Sequence, residues 1–349
     1  MMQMSPTPWA AGWPRAIRIL VLSLCVVFVA YGSLALYAGV PNEGIWPANG
    51  VLLAIVLVNP RRDWPWLLAM NVLLNTVIHV FAFLAPRGMQ VSLQASLAYS
   101  MLNIVEVFLA AILISHKVKG RPDIARLSTL GWIALFGPVL ACGVSTLLAG
   151  LSAQALDASV RHSFEGKWYF SESLGMAIMT PLVLAIRMDE LRSIAARKKV
   201  LETILLLAVV TTTAQLVFWQ RQYPISFVLF PALVLVMFRL GTSGSAAAVF
   251  LVSTSAVYYT LNGRGPLTLV RSGTLFASVF VLYGFIFVLV GMVYAVAAAL
   301  AGRRSLEIEL RQSEGNFRVL AEHSQDIIVR TGLDGRSKYP PAKPGALFV

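Results

Sequence analysis

Between Ile17 and Leu300 the chain is a succession of apolar runs separated by short polar loops. That alternation limits the fold more than any single motif does. A helix needs roughly 17–25 mostly apolar residues to cross the hydrocarbon core of a bilayer. Inside that core only helices and closed barrels satisfy their own backbone N–H and C=O groups. The runs predict helices over Ile17–Val40, Ile45–Asn59, Trp66–Ala85, Val91–Ser115, Ser128–Gly150, Tyr169–Ile186, Val200–Trp219, Ile225–Phe238, Ser243–Leu261 and Thr274–Leu300. The second and eighth are short enough to be re-entrant. The expected fold class is therefore all-α and integral to the membrane: a polytopic bundle of about ten (eight to ten) transmembrane helices with a short cytoplasmic helical tail.

Composition agrees. The chain is 58% hydrophobic and 13% charged, with mean hydropathy +0.74, against about 45–50% and about 25% in soluble domains. A net charge of +12 would suit a nucleic-acid binder. Here, however, the Lys and Arg residues sit in short loops between apolar runs, where topology places them. The bilayer, and not nucleic acid, is the expected partner. With both termini cytoplasmic, sixteen basic residues flanking the spans lie inside and six outside. The inner set includes Arg15, Arg18, Arg61, Arg62, Lys117, Arg121, Arg197, Arg239 and Arg303; the outer set is Arg87, Arg161, Lys167, Arg221, Arg264 and Arg271. This bias alternates correctly across ten spans. Residues 1–16 form a cytoplasmic N-terminus, residues 17–300 the membrane domain. The first run is too long for a signal-peptide core and reads as a retained helix. Cys25 and Cys142 lie inside apolar runs and form neither a disulfide framework nor a metal motif. Both read as packed thiols. The longest outer loop, about Leu151 to Trp168, is too small for a ligand-binding domain. A stimulus is thus expected to be read within the membrane or at its outer face.

Polar groups in such helices are costly, and an ionisable one marks function by default. Asn71, Asn75 and His79 repeat every four residues on one helix face. Asn103 and Glu106 share a face of the next helix, Glu172 lies near the outer end of the sixth, and Arg239 at the inner end of the eighth. Trp46-Pro47 followed by Asn49-Gly50 would make a helix start late, with free N–H groups at its mouth that favour anions or carboxylates. The candidate ligand-binding set is Trp46, Pro47, Asn49, Asn75, His79, Asn103, Glu106, Glu172 and Arg239, converging on a polar pocket open to the outer side. Each has a plainer reading. The asparagines serve hydrogen bonds between helices equally well, His79 is a packed polar residue, and Arg239 marks the cytoplasmic edge. The carboxylates are hardest to explain as packing. No catalytic triad, metal cluster, phosphate loop or nucleotide fingerprint is legible, so neither cofactor nor metal is expected. "GTSGSAAA" reads as close helix packing.

Several stretches in order carry a resemblance: "WPANGVLLAIVL" at Trp46–Leu57, the following "RRDWPWLLAMNVLLN", "NIVEVFLAAIL" at Asn103–Leu113, "WYFSESLGMAIMTPLVLA" at Trp168–Ala185, "FPALVLVMFRLG" at Phe230–Gly241 and "GRGP" at Gly263–Pro266. The chain resembles the membrane-associated sensor (MASE) domain of the first type, over about Ile17 to Leu300. Glu172 stands where that pattern has Asp, so the carboxylate is kept. The resemblance implies the sensory input of a bacterial diguanylate cyclase or histidine kinase in the inner (plasma) membrane, taking an unidentified small ligand.

Beyond Leu300 the chain turns polar. Leu306, Leu310, Ser313, Phe317 and Leu320 recur at steps of four and three, which suits either a two-heptad seam or an ordinary amphipathic helix. Residues 301–320 are expected to be a cytoplasmic linker helix, and a homodimer through it is the expected protein partner. "EGNFRVLAEHSQDIIVRTGLDGRSKY" is similar to the opening of a PAS domain, so 314–349 is expected to be an incomplete PAS start with a disordered end and no catalytic output. The competing expectation is a small-molecule transporter or channel-like protein, since Trp46-Pro47 and Phe230-Pro231 interrupt short spans six helices apart.

Overall fold

The computed structural model describes residues 13–36, 45–83, 93–156, 161–186, 197–269 and 275–323. Among these every regular element is a helix, joined by short turns, with no strand. The helices are α1 (Arg15–Leu36), α2 (Ala48–Val58), α3 (Trp64–Phe83), α4 (Leu93–Lys117), α5 (Leu127–Ala134), α6 (Cys142–Leu156), α7 (Arg161–Ala185), α8 (Arg197–Trp219), α9 (Leu229–Leu261) and α10 (Leu275–His323). Among the described residues, six stretches are long and apolar enough to cross a membrane: Arg15–Ser33, Ser96–Lys117, Leu127–Leu151, Val200–Trp219, Ser226–Leu261 and Phe280–Asn316.

Compact residues 1–301 form one unit and 302–349 another. At the centre of the first lies α2, whose residues Ala48 to Leu57 are all buried. A helix apolar on every side belongs in the interior of a bundle. At 11 residues and 1.5 Å per residue it reaches only about 16 Å, half a bilayer core. It packs chiefly on α7 and then on α4 and α1. The approach to α7 is backbone-close. A Cβ on Gly50 would lie 2.6 Å from the Gly175 carbonyl oxygen, and one on Gly175 would overlap the Trp46 carbonyl. Only glycine allows that separation. Thr180 Oγ1 donates to the Gly50 carbonyl at 3.0 Å across the same seam.

Local sequence explains three departures from the expected helix map. The expected fifth helix is not uniform: Leu135–Ala141, with Pro138 inside, is π-helical between α5 and α6. Proline lacks the N–H an α-helix would use, and a π-turn redistributes the bonds around it. Ser173 Oγ donates to the Pro138 carbonyl at 2.8 Å. The expected eighth and ninth helices merge in α9, bent at Gly241 (φ 67°, ψ −153°). That positive φ suits glycine alone, and the two halves beside it match the two expected runs. The outer loop expected over Leu151–Trp168 is largely helical, because α6 continues to Leu156 and α7 begins at Arg161.

Contacts define two ends of the first unit. At one, Asp63 is fully buried and receives Arg15 Nε at 2.6 Å and the guanidinium of the buried Arg18. Arg61 reaches Ser115 Oγ at 3.1 Å, Arg121 the Ile186 carbonyl at 3.3 Å, and Ser243 the Ala185 carbonyl at 2.8 Å. At the other end, the Trp46 N–H donates to the Ser171 carbonyl at 3.2 Å and that of Gly265 to the Gln220 carbonyl at 3.0 Å. The ring of Phe170 stacks on Tyr283, with centroids 4.8 Å apart. Arg15, Arg18, Arg61, Arg62 and Arg121 of the expected inner set thus gather at one end, and Arg264 lies at the other.

In the second unit the described residues 302–323 belong to α10, with Leu306, Ile308 and Leu310 exposed and Arg303 paired to Glu307 at 3.2 Å. Of the stretch 314–349, expected to open a PAS domain, residues 314–323 close α10 and those from 324 onward lie outside the described residues.

Candidate functional site

Three helices bring three polar side chains together in the interior. Asn49 is the second residue of α2, Glu106 lies in the second half of α4, and Glu172 in the middle of α7. Their relative exposures are 1%, 0% and 3%, which removes all three from solvent. Asn49 Nδ2 donates to Glu172 Oε2 at 2.8 Å and to Glu106 Oε1 at 3.3 Å. An amide nitrogen carries two hydrogens, and here each faces a different carboxylate. The Cys142 thiol and Ser145 hydroxyl of α6 flank Glu106. No ion pair joins either carboxylate to Lys, Arg or His among the described residues. Two buried acids held by one neutral amide can carry charge only where a proton or a positive partner compensates it.

The late helix start expected behind Trp46-Pro47 is present: α2 begins at Ala48 straight after Pro47, and Asn49 and Gly50 are helical. Pro47 accepts the first helical bond, from Val51 N–H at 3.2 Å. The Trp-Pro corner thus starts a late, half-length helix whose first turn carries Asn49 to the carboxylates. Gly50 serves contact with α7. At the mouth of this helix it is the Asn49 side-chain amide that meets the carboxylates.

The other candidates divide. Asn103, 1% exposed, shares the α4 face of Glu106 one turn away, and its Oδ1 has no partner. Trp46 is half-buried and touches α7 through its backbone. Asn75 is buried on α3. On the same face Asn71 donates to Ser23 Oγ at 3.3 Å and to Leu67 O at 2.8 Å, so there the interhelical reading holds. The His79 side chain lies outside the described residues. Arg239 is not part of this cluster: it is exposed and pairs with Glu202 of α8 at 2.5 Å. Its position at the end of an apolar run explains it as an edge residue.

Sequence reasoning missed Cys142 and Ser145 as neighbours of Glu106. It also missed the Asp63 clamp. The signal for the clamp was an acid following "RR" at a helix start, across from two arginines opening the first run.

A family model for MASE1 matches residues 15–305. The chain belongs to the MASE1 family. MASE1 is a membrane-associated sensor domain of signalling proteins, and the match spans the whole bundle, so Asn49, Glu106 and Glu172 all lie inside a sensor domain. No curated protein and no solved structure matches the chain.

Proposed function

We propose that this MASE1 chain is the sensory input of a bacterial signalling protein of the diguanylate cyclase or histidine kinase type. In this reading, residues 15–305 form eight to ten spans in the inner membrane with both termini cytoplasmic. The observation that carries it is the Asn49-bridged carboxylate pair inside a sensor domain. A buried, undercompensated polar cluster at the junction of α2, α4 and α7 responds to a charge change with a change in helix packing. A ligand shifts such an equilibrium only through different affinity for the two packings. The first unit ends at Ala301, and the exposed Leu306 and Leu310 beyond it suit pairing with a second copy that relays the change. The domain itself acts as input rather than catalyst.

The gathering of Arg15, Arg18, Arg61, Arg62 and Arg121 at one end supports the orientation. The test is a graft of residues 1–323 onto a heterologous diguanylate cyclase domain, with cyclic dinucleotide as readout. Output that depends on an intact bundle supports input; constant output together with substrate flux in proteoliposomes favours the transporter reading.

A further inference from the structure

The buried cluster names the class of ligand it lacks. Its donors, the Asn49 amide nitrogen and the Cys142 and Ser145 groups beside Glu106, leave three buried acceptors without a partner: Glu106 Oε2 and the amide oxygens of Asn49 and Asn103. The Asn49 orphan matters most: its nitrogen is bonded to both acids, and its oxygen, on the same amide, is buried and has no partner. Unpaired buried acceptors are costly, and a donor carrying positive charge would satisfy acids and amide together.

What lies outward adds shape. Tyr99, Asn103 and Glu106 sit at i, i+4 and i+7 on one face of α4; Trp168 and Glu172 are i and i+4 on α7. The Tyr99 and Trp168 rings meet with centroids 5.6 Å apart, tilted 34°, and both are half-buried. An aromatic pair therefore stands on the same two faces as the acids, toward the Trp46–Ser171 end. Aromatic faces attract organic cations; carboxylates and amide oxygens bind N–H donors in charge-assisted bonds. An anion fits neither layer. Among the described residues no group of three or more His, Cys, Asp or Glu could hold a metal ion.

We propose that Asn49, Asn103, Glu106 and Glu172, entered past Tyr99 and Trp168, form a binding site for a small ammonium compound bearing N–H donors. This rests on the sensory reading of the same cluster and names its ligand class.

The test uses the purified full chain in detergent, with no output domain. Binding can therefore fail while the sensory reading stands, and the converse. Thermal unfolding is followed by tryptophan fluorescence against methylammonium chloride, tetramethylammonium chloride and sodium chloride at matched ionic strength. The expected result is a saturable rise in Tm with methylammonium alone. Glu172→Gln and Glu106→Gln should each weaken half-saturation by about tenfold or more, as for a lost charge-assisted bond. If those variants do not fold, Tyr99→Leu and Trp168→Leu carry the test, with an expected weakening of about threefold or more. No saturable rise would overturn the proposal. So would an equal rise with tetramethylammonium or sodium, a rise reproduced by acidification alone, or unchanged half-saturation in every variant that folds.

Discussion

Asn49 and Glu172 are 123 residues apart in sequence and 2.8 Å apart in space. Their bond joins the first turn of α2 to the middle of α7, the seam at which Gly50 and Gly175 bring the two backbones into contact. The polar bridge and the tight packing therefore depend on each other.

Removing the bridge should expose that dependence. Asn49→Ala leaves two buried carboxylates without their shared donor, at a cost of about 1–3 kcal/mol for each unsatisfied group. Asn49→Asp should be worse, since it replaces the donor with a third acid. Thermal unfolding in detergent should rank wild type above Asn49→Ala and Asn49→Ala above Asn49→Asp.

Glycine replacements should split by location. At Gly175 a Cβ would collide with the Trp46 carbonyl, so Gly175→Ala should lower Tm despite a helix-propensity gain of about 1 kcal/mol. Gly284 and Gly291 face open space, and alanine at either should leave Tm unchanged or raise it. Equal effects at all three positions would contradict the close α2–α7 approach.

The two ion-pair sites should differ as strongly. Asp63 is buried with Arg18, so Asp63→Ala strands a buried guanidinium and should cost about 3–5 kcal/mol. Arg239→Ala breaks an exposed pair with Glu202 and should stay within about 1 kcal/mol. Chemical unfolding of both variants beside wild type checks the contrast.

For topology, reporter fusions after Leu151 and after Arg197 should fall on opposite sides of the membrane. Same-side reporters would overturn the proposed orientation.

Much of this was legible in the sequence, for physical reasons. Hydropathy reports burial in lipid directly, so the helical runs and their order were readable. Buried acids are costly enough that Glu106 and Glu172 stand out from composition alone. Depth along a helix can be counted from residue numbers, but rotation about the axis cannot. Hence Asn49 and the two acids could be placed at matched height, while the contacts of Cys142 and Ser145 with Glu106 stayed hidden. Asn49-Gly50 is a turn-prone pair that tertiary packing holds in a helix: Gly50 is needed for contact with α7, and from sequence alone that need looks the same as a turn. Pro138 and Gly241 belong to residue types that interrupt helices, but whether each ends, bends or only widens a helix is decided by neighbours such as Ser173.

The most direct measurement of the buried pair's role is signalling by Glu172→Gln in the cyclase graft, at membrane levels matched to wild type. Gln keeps the size and the hydrogen-bonding capacity of the side chain but removes its charge. The expected result is normal insertion with output locked and unresponsive to conditions that switch the wild type. Glu106→Gln should behave alike. Wild-type switching in both variants would show that the pair only holds helices together and would contradict a sensory role.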